Sequence, residues 1–282
     1  MVSILFNYYL SIYIFSFINK NTKNNEMKIK TKKKNLLRTN KNLLKLINES
    51  NLLEESSINY FGDLKDDFFL IVKKSLENAL ALNSNLPEWI INLEGLSGRK
   101  YRHFINNLIS FFPDVKYLEI GSWLGSTACS AFFNNRLYAL CIDNWSEFLE
   151  FEKNPKKIFK KNVMECKNNK IRLKTIENDF KKIDYKTIKK YNVYFYDGPH
   201  HFEDHFDAIC LVQECLENKY ILIIDDWNWK QVRDGTYQGL KKKKLKIISS
   251  IQIKTTQDDS KALVEGKYSE WHNGYGIFII EK

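Results

Sequence analysis

Paired cysteines are missing from this sequence. Its five, Cys129, Cys141, Cys166, Cys210 and Cys215, are odd in number and form no CxxC pair. That excludes both a disulfide framework and a zinc knuckle and argues for a reducing compartment; they read as small core hydrophobes. No internal repeat is visible. Net charge is also absent from most of the chain. The formal +10 is concentrated between Lys20 and Lys45, where ten Lys or Arg stand with one acid, Glu26, while residues 46–282 hold 34 basic and 33 acidic side chains. A general phosphate-binding surface is therefore not expected, nor a nucleic-acid partner.

Residues 1–19 carry no charged side chain. They approach the length of a membrane span but lack the positive n-region of a secretory signal. Two readings stand. In one they are an anchor, the basic flank keeping the rest of the chain on the cytoplasmic side. In the other they are translated upstream sequence ahead of Met27, which opens "MKIKTKKKNLLRTN". Either way the expected location is cytoplasmic, with membrane contact only if this segment is real. Residues 20–45 read as a basic, solvated, disordered arm.

The chain is long enough at 282 residues, 44% of them hydrophobic, to bury a sizeable core. Apolar positions recur at helical spacing over 36–83, broken near Gly62, and again over 97–112 between a Ser start and Pro113. From 116 onward the texture alternates. "KYLEIG", "RLYALCID", "IRLKTIEN", "NVYFYDG", "YILIIDDW", "LKIISSIQIK" and "YGIFIIEK" read as strands, and helical runs separate all but the last two. That alternation predicts an α/β fold with a doubly wound, Rossmann-like, mostly parallel seven-stranded sheet, an antiparallel edge strand and preceding N-terminal helices. The expected units are 1–19, 20–45, a helical extension or lid over 46–112, and the main domain over 113–282.

In such a sheet ligands sit at the carboxyl ends of the strands. After the first strand "EIGSWLGST" supplies Glu119, Gly121, Ser122, Gly125 and Ser126, a glycine turn that lets backbone approach a ligand. Asp143 ends the second strand, where an acid can accept from both ribose hydroxyls. Glu119 would repel a dinucleotide pyrophosphate and suits a cationic ligand, which opposes a nicotinamide-dependent oxidoreductase. Asp179 either accepts from an adenine amino group or caps the helix that follows. Asp197 ends the fourth strand and Asp225 with Asp226 ends the fifth. Carboxylates gathered at a dry sheet mouth raise one another's pKa values, and a hard divalent cation such as Mg²⁺ relieves them. His200, placed by Pro199 in the first turn of the next helix, could take a proton from a substrate hydroxyl. His201 and His205 read as surface or packing residues, and His103 and His272 as structural. Trp227, Trp229 and Arg233 either shape a substrate pocket or pack in the core.

"YLEIGSWLGST", "IDNW", "YDGPHH" and "IIDDWNW", in this order, resemble class I methyltransferases that use S-adenosylmethionine, most nearly the metal-dependent O-methyltransferases of macrocin and catechol type. The resemblance covers about residues 95–282. It implies that Glu119, Gly121, Ser122, Gly125 and Ser126 hold the methionine portion of S-adenosylmethionine, Asp143 its ribose, and that Asp179 lies near adenine. It also implies that Asp197, Asp225 and Asp226 hold Mg²⁺ and that His200 is the base toward a small-molecule or sugar acceptor. The N-terminal helices would form a lid or a homodimer surface. Ser122 and Trp123 depart from the pattern, standing where many relatives have a further glycine. A metal-dependent hydroxylase on the same scaffold is the alternative, disfavoured by the lack of a 2-His-1-carboxylate set; a non-catalytic binding module is another.

Overall fold

The computed structural model describes residues 56–149, 152 and 154–282. The apolar segment 1–19, the basic arm 20–45 and the start of the helical extension lie outside the described residues. Among the described residues no helix is long and apolar enough to cross a membrane.

The element order is β1 (Ser57–Gly62), α1 (Asp67–Leu80), α2 (Glu88–Ile91), α3 (Arg99–Phe111), β2 (Lys116–Ile120), α4 (Ser126–Phe132), β3 (Leu137–Asp143), α5 (Pro155–Cys166), β4 (Ile171–Glu177), β5 (Tyr191–Tyr196), α6 (Phe202–Leu211), β6 (Leu216–Ile224), α7 (Lys230–Lys242), β7 (Lys246–Lys254) and β8 (Tyr275–Glu281). All eight strands form one sheet in the order β1-β7-β8-β6-β5-β2-β3-β4. The run β6-β5-β2-β3-β4 is parallel, and β8 is antiparallel to both β6 and β7.

The sheet thus has the expected doubly wound α/β architecture, with one more strand than the seven anticipated. The eighth is β1, in a stretch whose apolar spacing suggests a helix. It pairs antiparallel with β7 from Ser57↔Lys254 to Gly62↔Ser249 and takes the edge position. Most of its residues are exposed, so no clean two-residue alternation marks it, and its pairing with β7 rather than local propensity makes it a strand. α1 begins where Asp66 accepts from the backbone N–H groups of Phe68 and Phe69. It buries Phe69, Val72, Leu76 and Ala79 along one face.

Alternation along the central strands divides the core between the two faces. Tyr117, Val193, Phe195, Ile221 and Ile223 face a layer that includes α1, α3 and α4 residues. Leu118, Ile120, Tyr194, Tyr196, Leu222 and Ile224 face α6 and α7. Both faces of the parallel strands are therefore covered, and the polar groups that matter collect at the one place left open, the carboxyl ends.

Candidate active site

Backbone hydrogen bonding continues one residue past the strands and brings their ends into a row. Asp225 N–H donates to Tyr196 O (3.1 Å), Asp197 N–H to Ile120 O (2.9 Å) and Gly121 N–H to Ile142 O (2.9 Å). Above this row lies a cleft of about 290 Å³, at the small end of ligand pockets. Of the ten non-glycine residues with positive φ among the described residues, five (Trp123, Trp145, Phe148, Asp226 and His272) line this cleft. Left-handed backbone costs roughly 1–2 kcal/mol per residue. Such backbone persists only where the surrounding structure holds it.

Asp197, Asp225 and Asp226 each bring one carboxylate oxygen to a common point, these three atoms lying within 4.8 Å of one another. Burial foremost, and then the charge of its acidic neighbours, pushes the carboxyls of Asp197 and Asp225 well above the usual range. Asp226 is satisfied differently. Its Oδ1 accepts from Asn273 Nδ2 at 2.6 Å, and its Oδ2 lies 3.0 Å from His200 Nδ1. With that nitrogen turned to a carboxylate, His200 Nε2 is the ring position left to accept a proton. The His200 ring lies edge-on to Trp229, centroids 5.2 Å apart. His200 is not in a helical turn, however: α6 begins at Phe202 with His201 before it, so Pro199 and His200 form the loop that carries the ring to the cleft.

Both Gly121 (φ 88°) and Gly125 (φ 85°) are left-handed, and the space a side chain would take at each is filled by protein. A Cβ on Gly121 would meet Asp197 O at 1.7 Å, and one on Gly125 would meet the Phe159 ring at 2.9 Å. Ser122 and Ser126 line the cleft, as do Gly121, Asp143 and Asp179. Asp143 also closes the turn: its Oδ2 accepts from the backbone N–H of Ser122 and Trp123, both at 2.8 Å, and its Oδ1 from Trp145 N–H at 2.6 Å. Asp179 caps a short 3₁₀ turn, accepting from Lys181 N–H at 3.0 Å.

Glu119 lies just beneath the cleft rather than on its wall; its side chain is fully buried. Tyr117 Oη donates to its Oε2 at 2.5 Å, while Oε1 is buried without a hydrogen-bond partner. Burial drives its carboxyl up to about 7 against the lowering effect of the tyrosine bond. A buried, half-satisfied acid beside a trio of carboxylates makes a field that favours a cation above it.

Two cleft-lining residues escaped the sequence reading, which took His272 as structural. His272 and Asn273 line the cleft, Asn273 holding Asp226 and His272 Nε2 standing 4.0 Å from Asp226 Oδ1. They precede β8, which runs antiparallel to β6, so its start lies at the same sheet edge as the ends of its neighbours. Reading the residues before the last strand would have found them. Of the remaining candidates, Trp227 is core, packed on Phe278 at 5.2 Å. Arg233 ties the loop together through Trp227 O (2.9 Å) and Asp259 (2.6 Å). His205 is buried against Tyr196, and His103 lies 2.7 Å from Ser84 Oγ.

No family model and no curated protein matches the chain. Some solved structures are similar to it over part of their length. A proposed SAM-dependent methyltransferase from Streptococcus mutans is 15% identical, with 65% of this chain and 48% of that one covered and a TM-score of 0.44. An O-methyltransferase from Bacillus cereus, in complex with SAH, is 14% identical over 77% of this chain and 92% of its own, with a TM-score of 0.42. A proposed RNA methyltransferase from Pyrococcus horikoshii is 11% identical over 74% and 96%, with a TM-score of 0.41. The chain spans about half the length of the Streptococcus mutans protein. Likenesses at this level do not carry an activity across.

Proposed function

We propose that this chain is an S-adenosylmethionine-dependent methyltransferase that methylates a hydroxyl of a small molecule or sugar. The observation that carries the reading is the meeting of the Asp197, Asp225 and Asp226 carboxylates with His200 on one cleft, beside a strand-end turn closed by Asp143. The residues fit the groups such a reaction needs. Asp143, Asn178 and Asp179 with Trp145 and Phe148 line one part of the cleft, offering acceptors and flat apolar surface to a nucleoside. The buried acids suit the sulfonium charge.

Asp197 and Asp225 would hold a divalent cation, Mg²⁺ fitting an all-oxygen donor set, with Asp226 contributing what its two hydrogen bonds leave free. Such a cation supplies Lewis-acid polarisation of the acceptor hydroxyl. The protein's own part is proton handling and alignment. His200 Nε2 takes the hydroxyl proton while Asp226 holds the ring through Nδ1. An O–CH₃ bond then forms as the S–CH₃ bond breaks, and the electron pair leaves with sulfur as S-adenosylhomocysteine. Holding oxygen, methyl and sulfur in line is worth at best about 7–11 kcal/mol.

The near balance of 34 basic and 33 acidic side chains over residues 46–282 favours a small acceptor over a nucleic acid. The test is release of S-adenosylhomocysteine from S-adenosylmethionine with Mg²⁺ and panels of phenolic and sugar acceptors. Turnover with either panel that disappears in His200→Ala supports the reading; no turnover with any acceptor, together with no cofactor binding, contradicts it.

A further inference from the structure

We propose that Arg102 is a positioning residue for this cleft, its guanidinium fixing the segment 90–97, whose last two residues line the cleft, and, through Ser97, the start of α4. The inference rests on the nucleoside reading of the cleft and deepens it. Arg102 sits on α3 and is fully buried. Its acceptors are carbonyls and one hydroxyl rather than carboxylates. Nε donates to Ser97 O (3.1 Å) and Ser97 Oγ (3.0 Å). Nη1 donates to Ile90 O (3.2 Å), Ile91 O (3.0 Å) and Leu93 O (2.8 Å), and Nη2 to Gly95 O (3.4 Å).

A buried cation is costly unless its donors are met, and here one planar fork gathers the carbonyls of a stretch that has no regular structure past α2. Burial lowers the guanidinium pKa to about 10, which leaves it charged at neutral pH. The stretch it gathers ends at the cleft. Leu96 and Ser97 line the cleft, and Ser97 Oγ lies 3.1 Å from Ser126 Oγ, the first residue of the helix that follows the glycine turn. In the other direction the segment braces the loop that carries His272 and Asn273. Within the segment Glu94 pairs with Lys267; beside it, at the start of α3, Arg99 N–H donates to Ser269 O at 2.9 Å and Lys100 pairs with Glu270 at 2.7 Å. A single side chain therefore fixes the stretch that meets the start of α4 through Ser97 and the segment before His272 through Glu94. Lysine is no substitute, since one ammonium cannot span acceptors from Ile90 to Ser97.

The test compares the full chain with Arg102→Lys by calorimetric titration with S-adenosylhomocysteine and by amide hydrogen exchange. The expected result is affinity weakened tenfold or more, with faster exchange over both 90–97 and 121–127. Affinity within twofold of the parent would overturn the proposal even if the melting temperature fell, because that is what a merely structural arginine would show. Should Arg102→Lys fail to fold, Ser97→Ala removes only the hydroxyl link to Ser126; a threefold or greater weakening is expected, and unchanged affinity overturns the idea. If the parent binds no S-adenosylhomocysteine, the nucleoside reading fails separately. Exchange then decides alone: faster exchange over 121–127 in either variant supports the positioning role, and unchanged exchange there overturns it.

Discussion

The carbonyl oxygen of Asp197 fills the space that a side chain on Gly121 would need, 1.7 Å from where its Cβ would be. The end of β2 and the end of β5 are thereby pressed together, which sets the turn after β2 against the first carboxylate of the acidic trio. Gly121→Ala would impose this clash and a left-handed alanine at φ 88°. The backbone conformation alone costs about 1–2 kcal/mol. Urea unfolding should show a loss beyond that, at unchanged m-value, and titration with S-adenosylhomocysteine should show weakened binding.

His200→Ala should leave binding of S-adenosylhomocysteine within about twofold, because the ring lies beside the acidic trio and the residues proposed for the nucleoside are others in the cleft. Turnover should fall by roughly 10²–10⁴, the usual contribution of a general base. A parallel loss of ligand affinity would mean that the histidine is part of the binding wall instead.

Glu119 gives a pH dependence whose sign is fixed. Its carboxyl titrates near 7 in the folded chain against an ordinary 4.5, so the folded state holds the proton more tightly. The group's stabilising contribution is complete below about 4.5 and is lost as pH rises through about 7. Glu119→Gln removes this penalty. The variant should gain on the parent as pH rises from 5 to 8, by about 3 kcal/mol at the upper end, measured as the difference between two urea unfolding series. A flat difference would show that Glu119 is ionised at little cost.

Asp197 and Asp225 act in the same direction, their carboxyls being raised first by burial and then by charged neighbours, Asp225 and Asp226 acting on Asp197 and Asp226 acting on Asp225. Mg²⁺ should therefore raise the melting temperature of the parent, and more at pH 8 than at pH 5, where protonated acids compete with it. In Asp197→Asn combined with Asp225→Asn the Mg²⁺ shift should vanish, and the metal-free protein should be more stable than the parent at pH 8. A persistent Mg²⁺ shift in the double variant would place the cation elsewhere.

Much of this arrangement was legible in the residues. The strand texture from 116 onward located β2 to β8, because buried parallel strands are continuous apolar runs, and the acids that interrupt them stand out. Asp197, Asp225 and Asp226 could be brought together because a crossover of helical length makes β5 and β6 neighbours. What escaped had long-range causes. β1 is a strand only because β7 offers it an edge. Gly121 serves a carbonyl 76 residues away, which no local pattern encodes. Asn273 holds Asp226 across 47 residues, and its place follows only once β8 is known to run antiparallel. Arg102 looks like one more cation on a helix until the carbonyls around it are seen.

The most direct measurement is a calorimetric titration of the purified chain with S-adenosylhomocysteine, with and without Mg²⁺. The account predicts saturable one-to-one binding that Asp143→Ala weakens. Absence of binding under both conditions would contradict it.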